Sequence, residues 1–409
     1  MVQFQTELVD QTVIGAVQEF AWLLLGAALI GNLARRVRVP YAVALVLGGL
    51  LIEESHLVAV PRLDPQVVLF AFLPPLLFDA AFRLDARELR LVARPVLLLA
   101  IPGVLVTTLV VGGMVAVVLG LPLPVALLFG SIVAATDPVA VTAVLNEVAI
   151  PARLIIIPEA ESLVNDGMAI TLYTGFSELG SGGVDVSALG GLFLREVLIG
   201  LAIGAALGFV CSRLTSTVDD HLIEMMLSVV LAYGSYLVAD RLHASGPLAC
   251  VAAGVIQGSY GREFGMSERT SRLLDDLWEF LGFFANAILF LLVGLSVNLA
   301  DLAGNAKAVA VAIVAVIVAR ILVVEAVGAL IARGPLATPP RERLVLIWSG
   351  LRGALTIALA LGLPQDTPSR QLLINMAFGV VLFTLIAQGL TLSLLIKMLG
   401  LQRPTPASL

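Results

Sequence analysis

Within one apolar stretch, Glu161-Ser162-Leu163-Val164-Asn165-Asp166-Gly167 places two carboxylates, a hydroxyl and an amide among residues that otherwise read as lipid-embedded. Ionisable side chains at membrane depth are costly unless something pairs them or water reaches them, and they mark ion or proton pathways. On a helix, Ser162, Asn165 and Asp166 share one face, whereas Glu161 points elsewhere. A deprotonated aspartate, a hydroxyl and main-chain carbonyls freed by a nearby helix break are hard oxygen ligands, suited to Na⁺ or Li⁺ and poorly suited to soft metals. The same carboxylate can hold a proton instead, so that H⁺ and cation compete at Asp166. Pairing with an arginine purely for packing is the competing reading of Asp166, and the cost of an intramembrane acid favours the functional one.

For Glu161 the balance reverses. A glutamate and a lone arginine at similar depth neutralise each other most economically, which predicts a structural ion pair between Glu161 and Arg352. Asp137 lies in Thr136-Asp137-Pro138, where the proline removes a backbone donor and disfavours helical geometry at the residue before it. Asp137 either ligates an ion or balances the partial charges of exposed half-helix ends, and the second reading is preferred. Asp79 ends Leu73-Pro74-Pro75-Leu76-Leu77-Phe78-Asp79 and either faces the site or lies at the membrane interface with Arg83. Arg320 and Glu325 are five apart and either pair or snorkel. Gly200, Gly204 and Gly208 read as close-packing positions. Cys211 and Cys250 read as small buried hydrophobes, and His56, His221 and His243 lack the spacing of zinc or haem ligands, so no cofactor is expected.

These residues need a membrane-embedded frame. Of 409 residues, 59% are hydrophobic and only 13% charged, with a mean hydropathy of +1.03, which sets the chain apart from soluble domains. Apolar runs of about 20 residues predict an all-α polytopic bundle in the lipid bilayer rather than an outer-membrane barrel. Cutting them at Pro, Gly and charge clusters gives about thirteen transmembrane helices, near 12–34, 40–60, 65–82, 94–119, 122–147, 153–178, 188–214, 221–241, 245–260, 267–298, 304–333, 341–362 and 370–400. The net charge of -6 is scattered and no basic, aromatic-rich stretch occurs, so nucleic acid is not an expected partner. The N-terminal residues do not read as a cleaved signal peptide.

Most of the 24 Lys and Arg fall on one side of this arrangement; Arg62, Arg195, Arg241, Lys307 and Arg370 fall on the other, with Arg320 and Arg352 inside helices. Positive charge is retained in the cytoplasm, which predicts the N-terminus outside and the C-terminus inside a cell (inner) membrane. With the seventh helix (188–214) as a linker, two inverted six-helix repeats follow, and their matching crossing helices 5 and 12 are both interrupted, at Thr136-Asp137-Pro138 and at Ser349-Gly350-Leu351-Arg352-Gly353.

With four motifs in order, Leu73 to Asp79, Thr136-Asp137-Pro138-Val139-Ala140-Val141, Glu161 to Gly167 and Gly350-Leu351-Arg352-Gly353-Ala354, the chain resembles the cation/proton antiporter superfamily, specifically its NhaP/NHE-type sodium/proton exchangers. The resemblance spans the whole membrane domain and implies electroneutral exchange of one Na⁺ or Li⁺ for one H⁺ by alternating access. It implies cation and proton binding at Asp166, a side-chain ligand in Ser162, a main-chain carbonyl ligand at Thr136, and Asn165 steadying the broken helix. It gives Glu161 and Arg352 the same ion pair. Some members carry Glu where this chain has the shorter Asp79. The resemblance further implies a homodimer, with scaffold helices at 12–82 and 221–298 and an ion-binding core at 94–178 and 304–400. A K⁺ or Ca²⁺/proton exchanger of the same fold is the nearest alternative. An intramembrane aspartyl protease built on Asp137 and Asp166, or a cation channel, is the alternative of another class; neither aspartate has a Tyr-Asp or Gly-x-Gly-Asp context.

Overall fold

The computed structural model of the chain describes residues 18, 20–34, 36, 39–55, 65–84, 86–137, 141–142, 145, 150–180, 186–218, 220–333 and 337–402; His56, Arg62 and most of 138–149 lie outside the described residues. Among the described residues, helices occur in each of the intervals expected from the apolar runs, and no strand occurs. They are α1 (Phe20–Ala34), α2 (Tyr41–Ser55), α3 (Pro65–Arg83), α4 (Ala86–Ala100), α5 (Pro102–Leu119), α6 (Leu123–Ile132), α7 (Arg153–Gly180) and α8 (Val186–Thr215). After them come α9 (His221–Arg241), α10 (Gly246–Ile256), α11 (Glu268–Leu295), α12 (Ala306–Ile331), α13 (Pro340–Trp348), α14 (Ala354–Leu361), α15 (Arg370–Phe383) and α16 (Leu390–Met398). Val117, Met226, Val230 and Leu330 point outwards. Such apolar faces suit lipid and would be a liability in water.

Several boundaries differ from the expectation for local reasons. The span placed at 94–119 begins at Leu89 and bends at Ile101, in front of Pro102, whose ring cannot sit inside a straight helix without losing a hydrogen bond. The span placed at 245–260 runs on through a π-helical turn, Gln257–Gly261, to Phe264. A second π turn, Thr384–Gly389, joins α15 to α16. Both interrupted helices break where expected. Regular helix stops at Ile132, and residues 135–137 are non-helical; α13 stops at Trp348, and α14 begins only after Gly353, whose backbone is extended.

Packing sorts the helices into two groups. In one, α11 lies on α2 and α3, while α10 lies on α3, α8 and α9. In the other, α7 packs against α4 and α6, α5 against α6 and α12, and α12 against α15. The groups meet where α3 and α11 reach α14 and where α10 reaches α7. The stripe Gly200, Gly204, Gly208 lets α8 press directly on the backbone of α10: a Cβ on Gly204 would lie 2.0 Å from the carbonyl oxygen of Ala249. Small residues allow this contact where apolar lipid supplies no hydrophobic drive between helices.

Gly204→Val is accordingly expected to wedge α8 off α10 and lower stability by about 1–3 kcal/mol. Gly190→Ala, at a helical position with no atom within 4 Å of the added carbon, should leave stability unchanged or raise it by up to about 1 kcal/mol. Thermal unfolding of the detergent-solubilised variants checks both.

Candidate functional site

The two breaks touch each other. The amide of Asp137 donates to the carbonyl of Leu351 at 2.8 Å, so the non-helical segments cross and are joined through backbone. Gly353 lets the acidic side chain in: a Cβ there would lie 2.1 Å from Oδ2 of Asp137. The Asp137 carboxylate therefore rests at the start of α14, where the amide end of a helix dipole favours negative charge.

A helix that ends inside the bundle leaves carbonyls without intrahelical partners. Arg352 supplies them for the first break, its Nη1 donating to the carbonyls of Ala134 (2.7 Å) and Ala135 (2.8 Å). Arg320, from α12, does the same for the second, its Nε and Nη2 donating to the carbonyl of Leu346 at 3.2 and 3.0 Å. Arg370 closes the far end of α14 by donating to Leu361 and Leu363.

This arrangement corrects the expected Glu161–Arg352 ion pair. Glu161 is held instead by Arg320, whose Nη1 and Nη2 each meet one carboxylate oxygen, the latter at 3.0 Å. The expectation weighed charge against charge only, whereas helix-end carbonyls compete for the same guanidinium groups. Arg352 sits within a break and is drawn to the other break, which leaves Arg320 to reach both Glu161 and Leu346. Glu325 is not its partner either, because Arg343 takes Glu325 at 3.1 Å.

Also on α7, Ser162 and Asn165 clasp the first break. The Oγ of Ser162 lies 2.8 Å from Thr136 Oγ1, and Asn165 Nδ2 donates to that same hydroxyl at 2.6 Å. The Thr136 amide donates back to Asn165 Oδ1 at 3.3 Å. Asp166, half-buried, faces a cavity of about 70 Å³, and its Oδ1 is buried without a hydrogen-bonding partner. The cavity lies between the two helix groups, with Asp79 and Asn286 on one side and Thr136, Asp137, Asp166 and Thr356 on the other. Asp79 thus lines the cavity and also binds Arg83.

Asn286, Thr356 and Thr384 were not singled out from sequence. The Thr384 hydroxyl accepts from the Arg352 amide at 3.1 Å within the π turn. Thr356 is fully buried, and its hydroxyl has no hydrogen-bonding partner. It stands in the first turn of α14, where the carbonyl that a helical threonine would use belongs to the break. That position, three residues past Gly353, is the signal that could have found it. The donor set facing the cavity is all oxygen and amide, which fits a hard monovalent cation or a proton.

Comparison with known proteins bears on this site. Residues 23–398 match the family described as sodium/hydrogen exchanger, transmembrane. The Na(+)/H(+) antiporter ApNhaP of Aphanothece halophytica is 39% identical, over 92% of this chain and 73% of its own length. The Na(+)/H(+) antiporter NhaG of Bacillus atrophaeus is 36% identical, over 92% of this chain and 74% of its own. In fold, the chain is similar to the sodium proton antiporter MjNhaP1 from Methanocaldococcus jannaschii, with a TM-score of 0.75 at 21% identity, over 94% of this chain and 99% of that one.

Removing Arg320 strands Glu161 inside the bundle, and Arg320→Met is expected to cost about 3–5 kcal/mol of stability. In double-mutant cycles read by thermal unfolding, Glu161→Gln and Arg320→Gln should show a coupling of about 0.5–3 kcal/mol. Glu161→Gln with Arg352→Gln should show less; equal couplings would restore the pairing expected from sequence.

Proposed function

The chain belongs to the sodium/hydrogen exchanger family, and on that premise we propose that it is a secondary active antiporter exchanging Na⁺ or Li⁺ for H⁺ at Asp166 by alternating access. The observation that carries this reading is the buried, unpartnered carboxylate oxygen of Asp166 in a cavity walled by two broken helices. Either a proton or a small dehydrated cation satisfies such an oxygen, and either one neutralises the carboxylate. Loaded, the site crosses the apolar phase without net charge of its own; unloaded, it carries a charge whose burial is penalised. Return without cargo is thereby disfavoured, which couples the two flows.

One exchangeable carboxylate implies one cation for one proton and no net charge movement. Glu161 is paired with Arg320 and is not part of the cavity lining. The Thr136 carbonyl and Ser162 hydroxyl complete the cation's oxygen shell, and Asn165 keeps Thr136 in place, as its hydrogen bonds suggest. Helices α1–α3 and α9–α11 would form a scaffold through which two copies pair, and α4–α7 with α12–α16 the moving core. The division of packing contacts and the position of the cavity between the groups support that reading. In the inner cell membrane, the Arg-rich ends of the helices would face the cytoplasm.

Asp166→Asn should insert and fold yet lose exchange, measured as cation-triggered proton movement in proteoliposomes with an internal pH dye; retained flux would sink the assignment. Titrating Na⁺, Li⁺, K⁺ and Ca²⁺ identifies the cargo, with responses to Na⁺ and Li⁺ expected. An imposed membrane voltage should leave the exchange rate unchanged, and a voltage-dependent rate would overturn the one-for-one stoichiometry.

A further inference from the structure

Asp79 is the acid of the cavity wall that α3 supplies, and it is already paired with a cation that belongs to the protein. Its Oδ1 accepts from Nε of Arg83 at 2.6 Å, one helical turn further along α3. Its Oδ2 rests on α11 at Gly282, where an added Cβ would lie 2.4 Å away, so that glycine makes room for the carboxylate. Nη1 of Arg83 lies 3.5 Å from Glu279 Oε2 on α11, a carboxylate whose side chain is 69% exposed. The guanidinium therefore stands between two acids of different depth, one on the cavity wall and one towards solvent.

We propose that Arg83 is a tethered competitor of the transported cation: on Asp79 it obstructs the mouth of the cavity that holds Asp166, and its transfer to Glu279 opens that mouth. The inference rests on the exchange reading above. A guanidinium on a flexible stem can change partners without any helix moving, and Glu279 stands ready to receive it when an arriving cation takes Asp79. Arg83 thus sets the apparent affinity for the cation without being a ligand of it.

The test is the half-saturating Na⁺ concentration of the full chain in proteoliposomes. Arg83→Gln should lower it about two- to fivefold. Arg87→Gln removes the same charge nearby, from a residue that pairs with Glu263 at 3.9 Å and is 84% exposed, and should leave it unchanged. Glu279→Gln removes the outer resting place and should raise it, whereas in the Arg83→Gln background the same change should have no effect. Arg83→Lys, which keeps the charge and loses the fork, should fall between wild type and Arg83→Gln, and it decides the matter alone if Arg83→Gln does not fold. The proposal is overturned if the Arg83 variants match wild type or Arg87→Gln, or if Glu279→Gln acts equally with and without Arg83. Exchange persisting in Asp166→Asn would overturn the site assignment instead, so the two failures are distinguishable.

Discussion

A helix that stops inside a bilayer must have its last carbonyls answered, because no water is available to do so. An unanswered buried group costs about 1–3 kcal/mol. Here that demand is met twice by arginine. Arg352 answers the end beyond α6 and Arg320 the end of α13. A planar guanidinium with five donors suits this task better than an ammonium, since it can reach a carbonyl and a second acceptor at once. Arg320 does so with Leu346 and Glu161. The breaks can exist at depth because these side chains exist, and the site exists because of the breaks.

The same demand separates the acids. Glu161 receives two donors from Arg320, a closed arrangement with no capacity left to trade. Asp137 lies at the amide end of α14, admitted by Gly353, and is held by local geometry. Asp166 keeps an oxygen without a hydrogen-bonding partner in the cavity, which leaves it able to accept a proton or a cation. Reactivity in this bundle thus follows from what the surrounding donors leave over. The chemical group is the same in all three cases, a carboxylate, and the surroundings differ: a guanidinium at Glu161, a helix start at Asp137, a cavity at Asp166.

Much of this was legible in the sequence because it is local. Thr136-Asp137-Pro138 and Ser349-Gly350-Leu351-Arg352-Gly353 announce breaks through proline and glycine chemistry, and helical spacing brings Ser162, Asn165 and Asp166 to one face. The partner of Glu161 was not legible. Arg320 and Arg352 are both far from it in the chain, no spacing rule links them, and the carbonyls that claim Arg352 become acceptors only once the helix has ended. Asn286 carries no pattern, Thr356 carries only its place three residues past Gly353, and the closing of the cavity gives both a role. The double engagement of Asp79, with the cavity and with Arg83, likewise needs coordinates, since sequence posed the two as alternatives.

The crossing bond from the Asp137 amide to the Leu351 carbonyl has an evolutionary consequence. It is made by main-chain atoms, so exchanges of side chain on either segment do not delete it unless they bring in proline at 137. Two distant stretches of the gene are thereby kept in register by atoms that codon changes scarcely reach. The acids, hydroxyls and amides that hang from this staple can therefore be exchanged without deleting the crossing bond itself.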